Sequence, residues 1–498
     1  MGSFAKLRYL NLSYSEFGGR ISYQLGNLSQ LQYLDLGRNY YLSGVIPLLQ
    51  IGNLRQLRYL DLGGNALSGA IPCQIGNLSE LQYFDLGGNS FSGAIPFQIG
   101  NLPMLNTLRL QGDFDVKTKD AEWLSNLHSL TILQFSSLHN LGSSHHLLQT
   151  ISKLIPNLRE LRLVDCSLSD YDIPYLFRFH SNFSTSLTIL DLSRNMLTSS
   201  TFQLLSNISL NLKELYLSHN NFVSSAPLYP NFPSLVILDP SYNNLTSSML
   251  QDDFNFSSKL QRLSLRNCSL LDRNFLVPPA FNMNFSSSLV SLDLSHNLLT
   301  SSAVFHWLFN FTTNLHTLSL YGNLLEGPLP DGFGKVMKSL ENLNLYSNKL
   351  QGEIPTFFGN MCSLQTLDLL NNNLSGDLSS FIQHSSWCNR HILQSLDLSY
   401  NRITGMIPKS IGLLSELEDL YLEGNSLEGD VTESHLSNLS KLTSLDLSYN
   451  SLSLKFESTW VPPFQLRYLG LASCKLGPSF PSWFQTQSSL ALEQFTIY

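Results

Sequence analysis

The chain has 498 residues, of which only 13% are charged, and its formal net charge is −8. Globular proteins usually have about 25% charged residues. Proteins that bind nucleic acid need a basic surface, so this composition argues against nucleic acid as a partner. The sequence has no apolar run long enough to cross a membrane, and its N-terminal stretch lacks the apolar core of a signal peptide.

The dominant feature in chain order is an internal repeat of the form L-x-x-L-x-L-x-x-N-x-L. It is present at residues 31–42 and still intact at 442–452, and units recur every 23 to 29 residues between Leu7 and Leu492. This period is typical of leucine-rich repeats. The sequence therefore predicts one continuous leucine-rich-repeat domain of about 20 repeats over residues 1–498. The predicted fold is an α/β solenoid, a right-handed curved superhelix with a parallel β-sheet on its concave face.

The spacing of the unit explains its chemistry. The L-x-L alternation predicts a short strand whose leucines face the core, while the intervening residues face solvent. A single coil cannot bury its leucines, but stacked coils form one core. The Asn after each strand is expected to turn inward and satisfy backbone groups of adjacent coils. Three cysteines take the same place and are expected to be buried thiols: Cys166, Cys268 and Cys474.

Many units continue with L-x-G-x-I-P, as in residues 42–47 and 350–355. This segment resembles the plant-specific leucine-rich repeat, in which it forms a second short strand. Units between roughly residues 113 and 314 mostly lack the signature, so we expect three blocks within one solenoid. One unit breaks the strand pattern, because Pro240 stands where the third leucine belongs and removes a backbone donor. Pro240 marks either a tolerated local break or a hinge.

The solvent-facing positions of the predicted strands give a candidate ligand surface. An aromatic and acidic patch of this kind could bind a basic or polar peptide. The alternative is that Tyr is a good strand former and Asp a repeated feature stabilised by neighbouring polar groups. The candidate ligand-binding residues are Tyr9, Tyr33, Tyr59 and Tyr83, then Asp35, Asp61 and Asp85, and a later cluster of Asp419, Tyr421 and Glu423.

The sequence gives no support for an enzyme. Paired acids can serve glycoside hydrolysis, but here the acids form a regular ladder without a pocket. His139, His145 and His146 could be metal ligands, yet they lie in a Ser- and Gly-rich stretch that favours a solvated loop. No phosphate-binding loop, zinc-protease motif, nucleophile elbow or kinase motif is present. We therefore predict no catalytic residues, no cofactor and no metal.

Glycosylation acceptors of the form N-x-S/T are abundant and favour passage through the secretory pathway. A glycan on Asn11 would obstruct the strand face, so Asn11 is left out of the predicted set. Cys362 and Cys388 lie in successive coils and are predicted to form a disulfide, the alternative being two free thiols. The predicted glycosylation sites are Asn27, Asn77, Asn182, Asn207, Asn244, Asn255, Asn284, Asn310, Asn373 and Asn438.

Two segments carry a more specific resemblance. Residues 386–401 (SWCNRHILQSLDLSYN) and 460–466 (WVPPFQL), the latter followed by 476–481 (LGPSFP), resemble plant receptor-like proteins of the fungal-xylanase (EIX) receptor class. The resemblance implies a glycoprotein at the plasma membrane that senses microbial or endogenous ligands. It also implies signalling in defence or development through partner receptor kinases, because the family has no kinase of its own.

The chain differs from that family at both ends, where the signal peptide, N-terminal cap and C-terminal membrane helix are not seen. Because solenoids need polar caps, we expect this sequence to be a fragment of an extracellular domain whose apolar ends promote aggregation. Membrane contact is then expected only through the missing helix. A receptor-kinase ectodomain or a secreted inhibitor of microbial wall-degrading enzymes are the alternatives. A peptide, a protein or a glycan all stay possible as ligand.

Overall fold

A computed structural model describes residues 6–115, 121–142, 144–155, 157–177, 186–205, 210–223, 232–245, 258–275, 288–309, 314–383, 390–477, 481–490 and 495–496. The chain divides into two compact units. The first unit comprises Met1–Asn244 with Asp253–Leu260, and the second comprises Leu245–Asp252 with Gln261–Tyr498. Each unit is described by itself.

The first unit contains short strands that alternate between two positions of the repeat. In chain order they are β1 (Tyr9–Asn11), β2 (Gly19–Arg20), β3 (Tyr33–Asp35), β4 (Leu42–Gly44), β5 (Tyr59–Asp61), β6 (Ala66–Gly69), β7 (Tyr83–Asp85), β8 (Ser90–Gly93), β9 (Thr107–Phe114), β10 (Ile132–Ser136), β11 (Glu160–Val164), β12 (Ile189–Asp191), β13 (Glu214–Tyr216) and β14 (Ile237–Asp239).

The second unit continues the same scheme. Its strands are β15 (Arg262–Ser264), β16 (Ser291–Asp293), β17 (Thr317–Ser319), β18 (Glu326–Gly327), β19 (Asn342–Asn344), β20 (Lys349–Glu353), β21 (Thr366–Asp368), β22 (Asn373–Ser375), β23 (Ser395–Asp397), β24 (Thr404–Gly405), β25 (Asp419–Tyr421), β26 (Ser426–Val431), β27 (Ser444–Asp446), β28 (Ser451–Leu454), β29 (Tyr468–Gly470), β30 (Lys475–Leu476) and β31 (Phe495–Thr496).

Helices return the chain from one strand to the next. The α-helices are α1 (Leu48–Ile51), α2 (His145–Leu154), α3 (Ile173–Phe177), α4 (Ser200–Leu205), α5 (Ala303–Leu308), α6 (Phe333–Val336), α7 (Leu378–Gln383) and α8 (Glu433–Leu436). The 3₁₀ helices span Tyr23–Asn27, Cys73–Asn77, Phe97–Asn101, Ala121–Asn126, Asp272–Phe275, Thr356–Asn360, Lys409–Leu413 and Ser482–Thr486. Across the parts of the chain that the structure describes, no helix has the length and apolarity needed to span a membrane.

Each unit has a parallel main sheet built from one strand of every coil. In the first unit β1, β3, β5, β7 and β9 to β14 pair in succession without any shift of register. In the second unit the same holds from β15 through β17 and then for the odd-numbered strands β19 to β31. The strand leucines, such as Leu34 and Leu60, are fully buried. The predicted leucine-rich-repeat solenoid with its parallel sheet is therefore confirmed.

The asparagine that follows most main-sheet strands forms hydrogen bonds with the backbone of neighbouring coils. Asn297, which is 3% exposed, donates through Nδ2 to the carbonyls of Leu265 and Leu294 at 2.8 Å. Its Oδ1 accepts from the backbone N–H groups of Cys268 and Leu270. Since unpaired buried backbone groups are costly, this side chain is a structural element of the fold.

The L-x-G-x-I-P segments form second strands, as predicted from their resemblance to the plant repeat. They pair as β2–β4, β4–β6, β6–β8 and β8–β9 in the first unit. In the second unit they pair as β18–β20–β22 and β24–β26–β28–β30. Between β9 and β18, the described coils show no second strand and carry α2 to α5 instead.

Some local expectations need correction. His145 and His146 begin helix α2 rather than lying in a loop, and His145 stacks on Tyr175 with ring centroids 4.0 Å apart. Its Nε2 atom lies 3.3 Å from the carboxylate of Asp172. The cysteines at the Asn position differ in burial, because Cys474 is only partly covered while the other two are buried.

The Pro240 coil keeps the repeat geometry. Leu238 is buried, and Asn243 donates to the carbonyl of Pro240 at 2.8 Å. The division between the two compact units falls between Asn244 and Leu245, within this coil. A hinge at this coil stays a hypothesis.

Candidate ligand-recognition surface

Four tyrosines of the first unit form one continuous stack. The rings of Tyr9, Tyr33, Tyr59 and Tyr83 lie with centroids 4.2 Å apart and with interplanar angles of 15°, 8° and 7°. The in-register pairing of β1, β3, β5 and β7 causes this, because it places equivalent residues side by side. We call these four residues the tyrosine ladder. The faces of the inner rings, Tyr33 and Tyr59, are covered by their stacked neighbours, so these rings present their edges and hydroxyl groups to solvent. Tyr9, at the end of the stack, is 58% exposed.

The aspartates beneath the ladder have a structural role. The sequence analysis gave this only as the alternative, in which Asp is a repeated feature stabilised by neighbouring polar groups. Asp35 is just 8% exposed, and its Oδ1 accepts the backbone N–H of Gly37 at 2.9 Å. The equivalent bond joins Asp61 to Gly63 at 2.8 Å. The same bond recurs at Asp85, Asp191, Asp239, Asp293, Asp368, Asp397 and Asp446. One carboxylate oxygen therefore fixes the end of the strand.

The second carboxylate oxygen faces the tyrosine ladder. The hydroxyl groups of Tyr33 and Tyr59 lie 3.4 Å from Oδ2 of the aspartates two residues later, and that of Tyr83 lies 3.1 Å from Oδ2 of Asp85. Burial raises the pKa of Asp61 to about 6, and the nearby carboxylates of Asp85 and Asp35 act in the same direction. The hydrogen bond from the Gly63 N–H acts the other way and lowers this pKa. Burial also raises the pKa values of the Tyr33, Tyr59 and Tyr83 hydroxyls, so these stay protonated donors.

Arginines follow the ladder along the sheet, and the sequence reading missed them. Arg109 Nη1 lies 3.4 Å from both the Tyr83 hydroxyl and Asp85 Oδ2. Two coils further, Arg162 donates to Glu160 at 2.6 Å and to Asp191 at 3.1 Å. The signal was present, because Arg109 and Arg162 occupy the same repeat position as the aspartates. They neutralise part of the acidic row.

The predicted cluster of Asp419, Tyr421 and Glu423 lies along β25 and just after it, half-buried in the second unit. Its members engage different neighbours, since Glu423 accepts the Tyr400 hydroxyl at 2.7 Å and Asp419 accepts Thr443 at 3.4 Å. Tyr421 pairs in register with Asp397 and Asp446.

Further acidic residues lie on the strands that neighbour this cluster in the second unit. Burial raises the pKa of Asp368 to about 6, whereas the hydrogen bond from the Leu370 N–H lowers it. Burial also raises the pKa of Asp397. The hydroxyl of Tyr468 donates to Asp446 at 2.6 Å.

The predicted modification sites fall partly within the described chain. Asn27, Asn77, Asn244 and Asn438 are exposed and Asn373 is half-buried, so each stays a predicted glycosylation site. The others, Asn182, Asn207, Asn255, Asn284 and Asn310, lie outside the described residues.

Cys362 is disulfide-bonded, while its predicted partner Cys388 lies outside the described residues, so the pairing itself stays a prediction. Cys73 is an exposed free thiol. Among the residues with described positions, no group of three or more His, Cys, Asp or Glu side chains could hold a metal ion.

Comparison with known proteins agrees with this architecture. The family described as leucine-rich repeat region matches residues 39–265, and further leucine-rich-repeat families match residues 314–336, 339–361 and 374–427. The solved structure of a TLR13–ssRNA13 complex is 20% identical with a TM-score of 0.61, and the match covers 98% of this chain and 74% of that one. This likeness shows the fold alone.

Two curated relatives come from tomato (Solanum lycopersicum). The receptor-like protein EIX1 is 36% identical over 474 residues, covering 74% of this chain and 42% of the relative. The receptor-like protein EIX2 is 34% identical over 335 residues, covering 48% and 32%. The chain thus spans less than half the length of these relatives. The chain belongs to the leucine-rich-repeat proteins and, within them, to the plant receptor-like proteins of the EIX class.

Proposed function

We propose that this chain is the extracellular ligand-recognition region of a plant cell-surface receptor-like protein that acts in defence or developmental signalling. The tyrosine ladder carries the proposal, because it sets a rigid, half-exposed aromatic row on the solvent side of a regular sheet. Tyrosine and arginine are enriched in protein interfaces. Rings that are already stacked lose little freedom when a partner binds.

The proposed ligand is a peptide or protein that lies along the first unit's main sheet. Tyrosine hydroxyls and Arg109 would supply hydrogen bonds to its backbone, while the buried aspartates hold the row in place. Signalling would then require partner receptor kinases and a membrane anchor in the full-length protein. The proposed role is recognition without catalysis, in keeping with relatives that are receptor-like proteins.

The test uses the full 498-residue chain, secreted from a eukaryotic host and immobilised. A purified fungal xylanase is the first protein probe, because the resemblance points to that receptor class, and a library of secreted peptides is the second. A Tyr33→Ala/Tyr59→Ala variant is expected to weaken binding about tenfold or more, which equals about 1.4 kcal/mol. The matched control is Thr366→Ala, which occupies the same strand position in the second unit.

The location of the effect decides the site. Loss of binding in the ladder variant with an unchanged control supports the first unit's face. Binding that survives in the ladder variant but is lost in a Tyr421→Ala variant contradicts the proposed site. If no secreted protein or peptide binds the folded chain, the proposed receptor function is wrong for this region.

A further inference from the structure

A polar pocket opens beside the C-terminal end of the tyrosine ladder in the first unit. Its volume is about 260 Å³, below the range of about 300–1,000 Å³ that is common for drug-sized ligands. The pocket therefore suits one small ring or residue at a time. Its side-chain lining is Arg38, Asp61, Tyr83, Asp85, Arg109 and Gln134, together with four glycines.

The lining combines opposite hydrogen-bonding roles at close range. Ionised carboxylates only accept hydrogen bonds and guanidinium groups only donate them. A hydroxyl can satisfy both within one small pocket, because it donates and accepts at a single atom. Arg109 Nη1 reaches the Tyr83 hydroxyl and Asp85 Oδ2 only at 3.4 Å, so donors and acceptors of the lining are weakly bonded to one another.

The charges of the pocket disfavour an ionic ligand. Arg38 and Arg109 would repel a cation, and Asp61 and Asp85 would repel an anion, so a neutral ligand has the smallest electrostatic cost. The lining contains no aliphatic side chain, and apolar pockets are what anchor most peptide side chains. A neutral, hydroxyl-rich ligand fits these conditions better than a peptide side chain.

Two successive coils leave the pocket floor bare. Gly64 and Gly88 have φ values of +66° and +65°, a region that favours glycine, and equivalent positions elsewhere carry large side chains such as Arg38 and Tyr400. Gly63 and Gly87 stand where later coils have serine, as at Ser399. The absent side chains at Gly63 and Gly87 leave half-exposed backbone that a ligand ring can approach, whereas the Arg38 side chain lies over Gly64.

We propose that this pocket is a subsite for one sugar residue of a neutral oligosaccharide, bound through adjacent hydroxyl groups. The inference rests on the proposed recognition function of the same sheet face and adds a glycan to its ligands. A glycan-bearing protein and a free oligosaccharide share this chemistry, and both can present such a residue.

The chain itself supplies a way to fill the pocket. A Gly63→Ser/Gly87→Ser variant copies the serine of other coils, so it places two side chains on the floor without a positive φ. The matched control is Gly37→Ser, because a Cβ there meets carboxylate oxygens at 3.1 and 3.2 Å, as it does at Gly63, yet Gly37 does not line the pocket. The probes are cellohexaose, xylohexaose and chitohexaose, measured by saturation-transfer NMR and calorimetry.

The wild type and the Gly37→Ser control are expected to bind at least one probe with affinities within twofold of each other, and the double variant is expected to lose tenfold or more. If the double variant does not fold, Asp61→Asn serves instead. It keeps the shape but turns one acceptor into a donor, and a loss of about fivefold is expected. Failure of all three probes to bind, or binding that both variants leave unchanged, would overturn the subsite.

These results separate the two proposals. Xylanase or peptide binding that depends on Tyr33 and Tyr59 while no oligosaccharide binds would leave the receptor function intact and remove the sugar subsite. Peptide binding that the Gly63→Ser/Gly87→Ser variant abolishes, with no oligosaccharide binding, would assign the pocket to a peptide and refute the glycan.

Discussion

The main sheets of the two units share one strand-end hydrogen bond but surround it differently. In the first unit Asp61 is preceded two residues earlier by Tyr59 and followed two residues later by Gly63. In the second unit Asp397 stands between Ser395 and Ser399. The aspartate Oδ1 accepts the N–H of the second following residue in both cases, at 2.8 and 2.9 Å.

This difference separates architecture from recognition. The aspartate recurs in both units and fixes the strand end wherever it occurs, so its presence alone says little about ligands. The tyrosine stack and the glycine floor occur together in the first coils, where they create an aromatic row and a pocket. The flanking residues, rather than the acids, therefore distinguish the candidate site.

The largest effect is expected where the two units are alike. Asn65 donates to the carbonyls of Leu36 and Leu62 and accepts the Asn39 N–H. Asn65→Ala should lower the free energy of unfolding by about 3 kcal/mol, because buried backbone groups lose their partners. Asn297→Ala should cost the same in the second unit. Thermal unfolding monitored by circular dichroism checks both.

The chain provides an internal control for that loss. Cys268 occupies the equivalent position, with its thiol 3.5 Å from the carbonyl of Arg266, so Asn65→Cys should cost clearly less than Asn65→Ala. Equal losses for the two variants would show that packing, rather than hydrogen bonding, sets the role of this position.

The tyrosine ladder should contribute stability that the second unit lacks at the same position. Tyr59→Ala removes two stacking contacts of about 0.5–1.5 kcal/mol each, so we expect a loss of about 2 kcal/mol. Tyr59→Phe should lose less than about 0.5 kcal/mol, because its hydroxyl bond is long. Ser395→Ala, at the equivalent strand position, should be close to neutral in the same thermal scans.

Ion pairs should also differ between the units in how much each contributes to the free energy of unfolding. Arg162 is three-quarters buried and bridges Glu160 and Asp191, whereas Lys455 pairs with Asp430 on an exposed edge. Arg162→Met should cost about 1.5 kcal/mol, since hydrogen bonds to charged groups are strong when partly buried. Lys455→Met should cost less than about 0.5 kcal/mol. Urea unfolding at low and high salt separates them, and a salt-sensitive loss at Arg162 would contradict its burial.

The smallest effect concerns pH. The folded pKa of Asp61 is about 6, above its ordinary value of 3.8, so between these values the folded chain binds more protons than the unfolded chain. Stability from this group therefore rises as pH falls through that window and is lost above it. At the equivalent position in the first coil, Asn11 accepts the backbone N–H of Ser13 through its Oδ1. An Asp61→Asn variant is therefore expected to keep the strand-end bond from the Gly63 N–H.

Asp61→Asn should therefore raise the free energy of unfolding by about 1 kcal/mol at pH 7.5, allowing for solvent screening, and by nothing at pH 4. Asp368→Asn should behave alike in the second unit, where burial raises the pKa to about 6. Asp430→Asn, at an exposed ion pair, is the control. A pH-independent gain at Asp61 would mean that repulsion and burial of its charge are not the cause.

The sequence by itself determined the fold, because the leucine period sets both the strand length and the face that each strand buries. It also predicted the inward asparagines and the positions of Tyr9, Tyr33, Tyr59 and Tyr83 along one row. These features follow from local spacing, which the repeat carries from one coil to the next.

Only the tertiary structure decided how that row behaves. The stacking at 4.2 Å, the burial of Asp35 and the bonds from its Oδ1 depend on the register between coils, which no single repeat contains. The stacking of His145 on Tyr175 and the pocket beside Arg109 likewise arise from contacts between successive coils. Periodicity fixes which residues face outward, but packing between coils fixes which of their atoms stay available to a ligand.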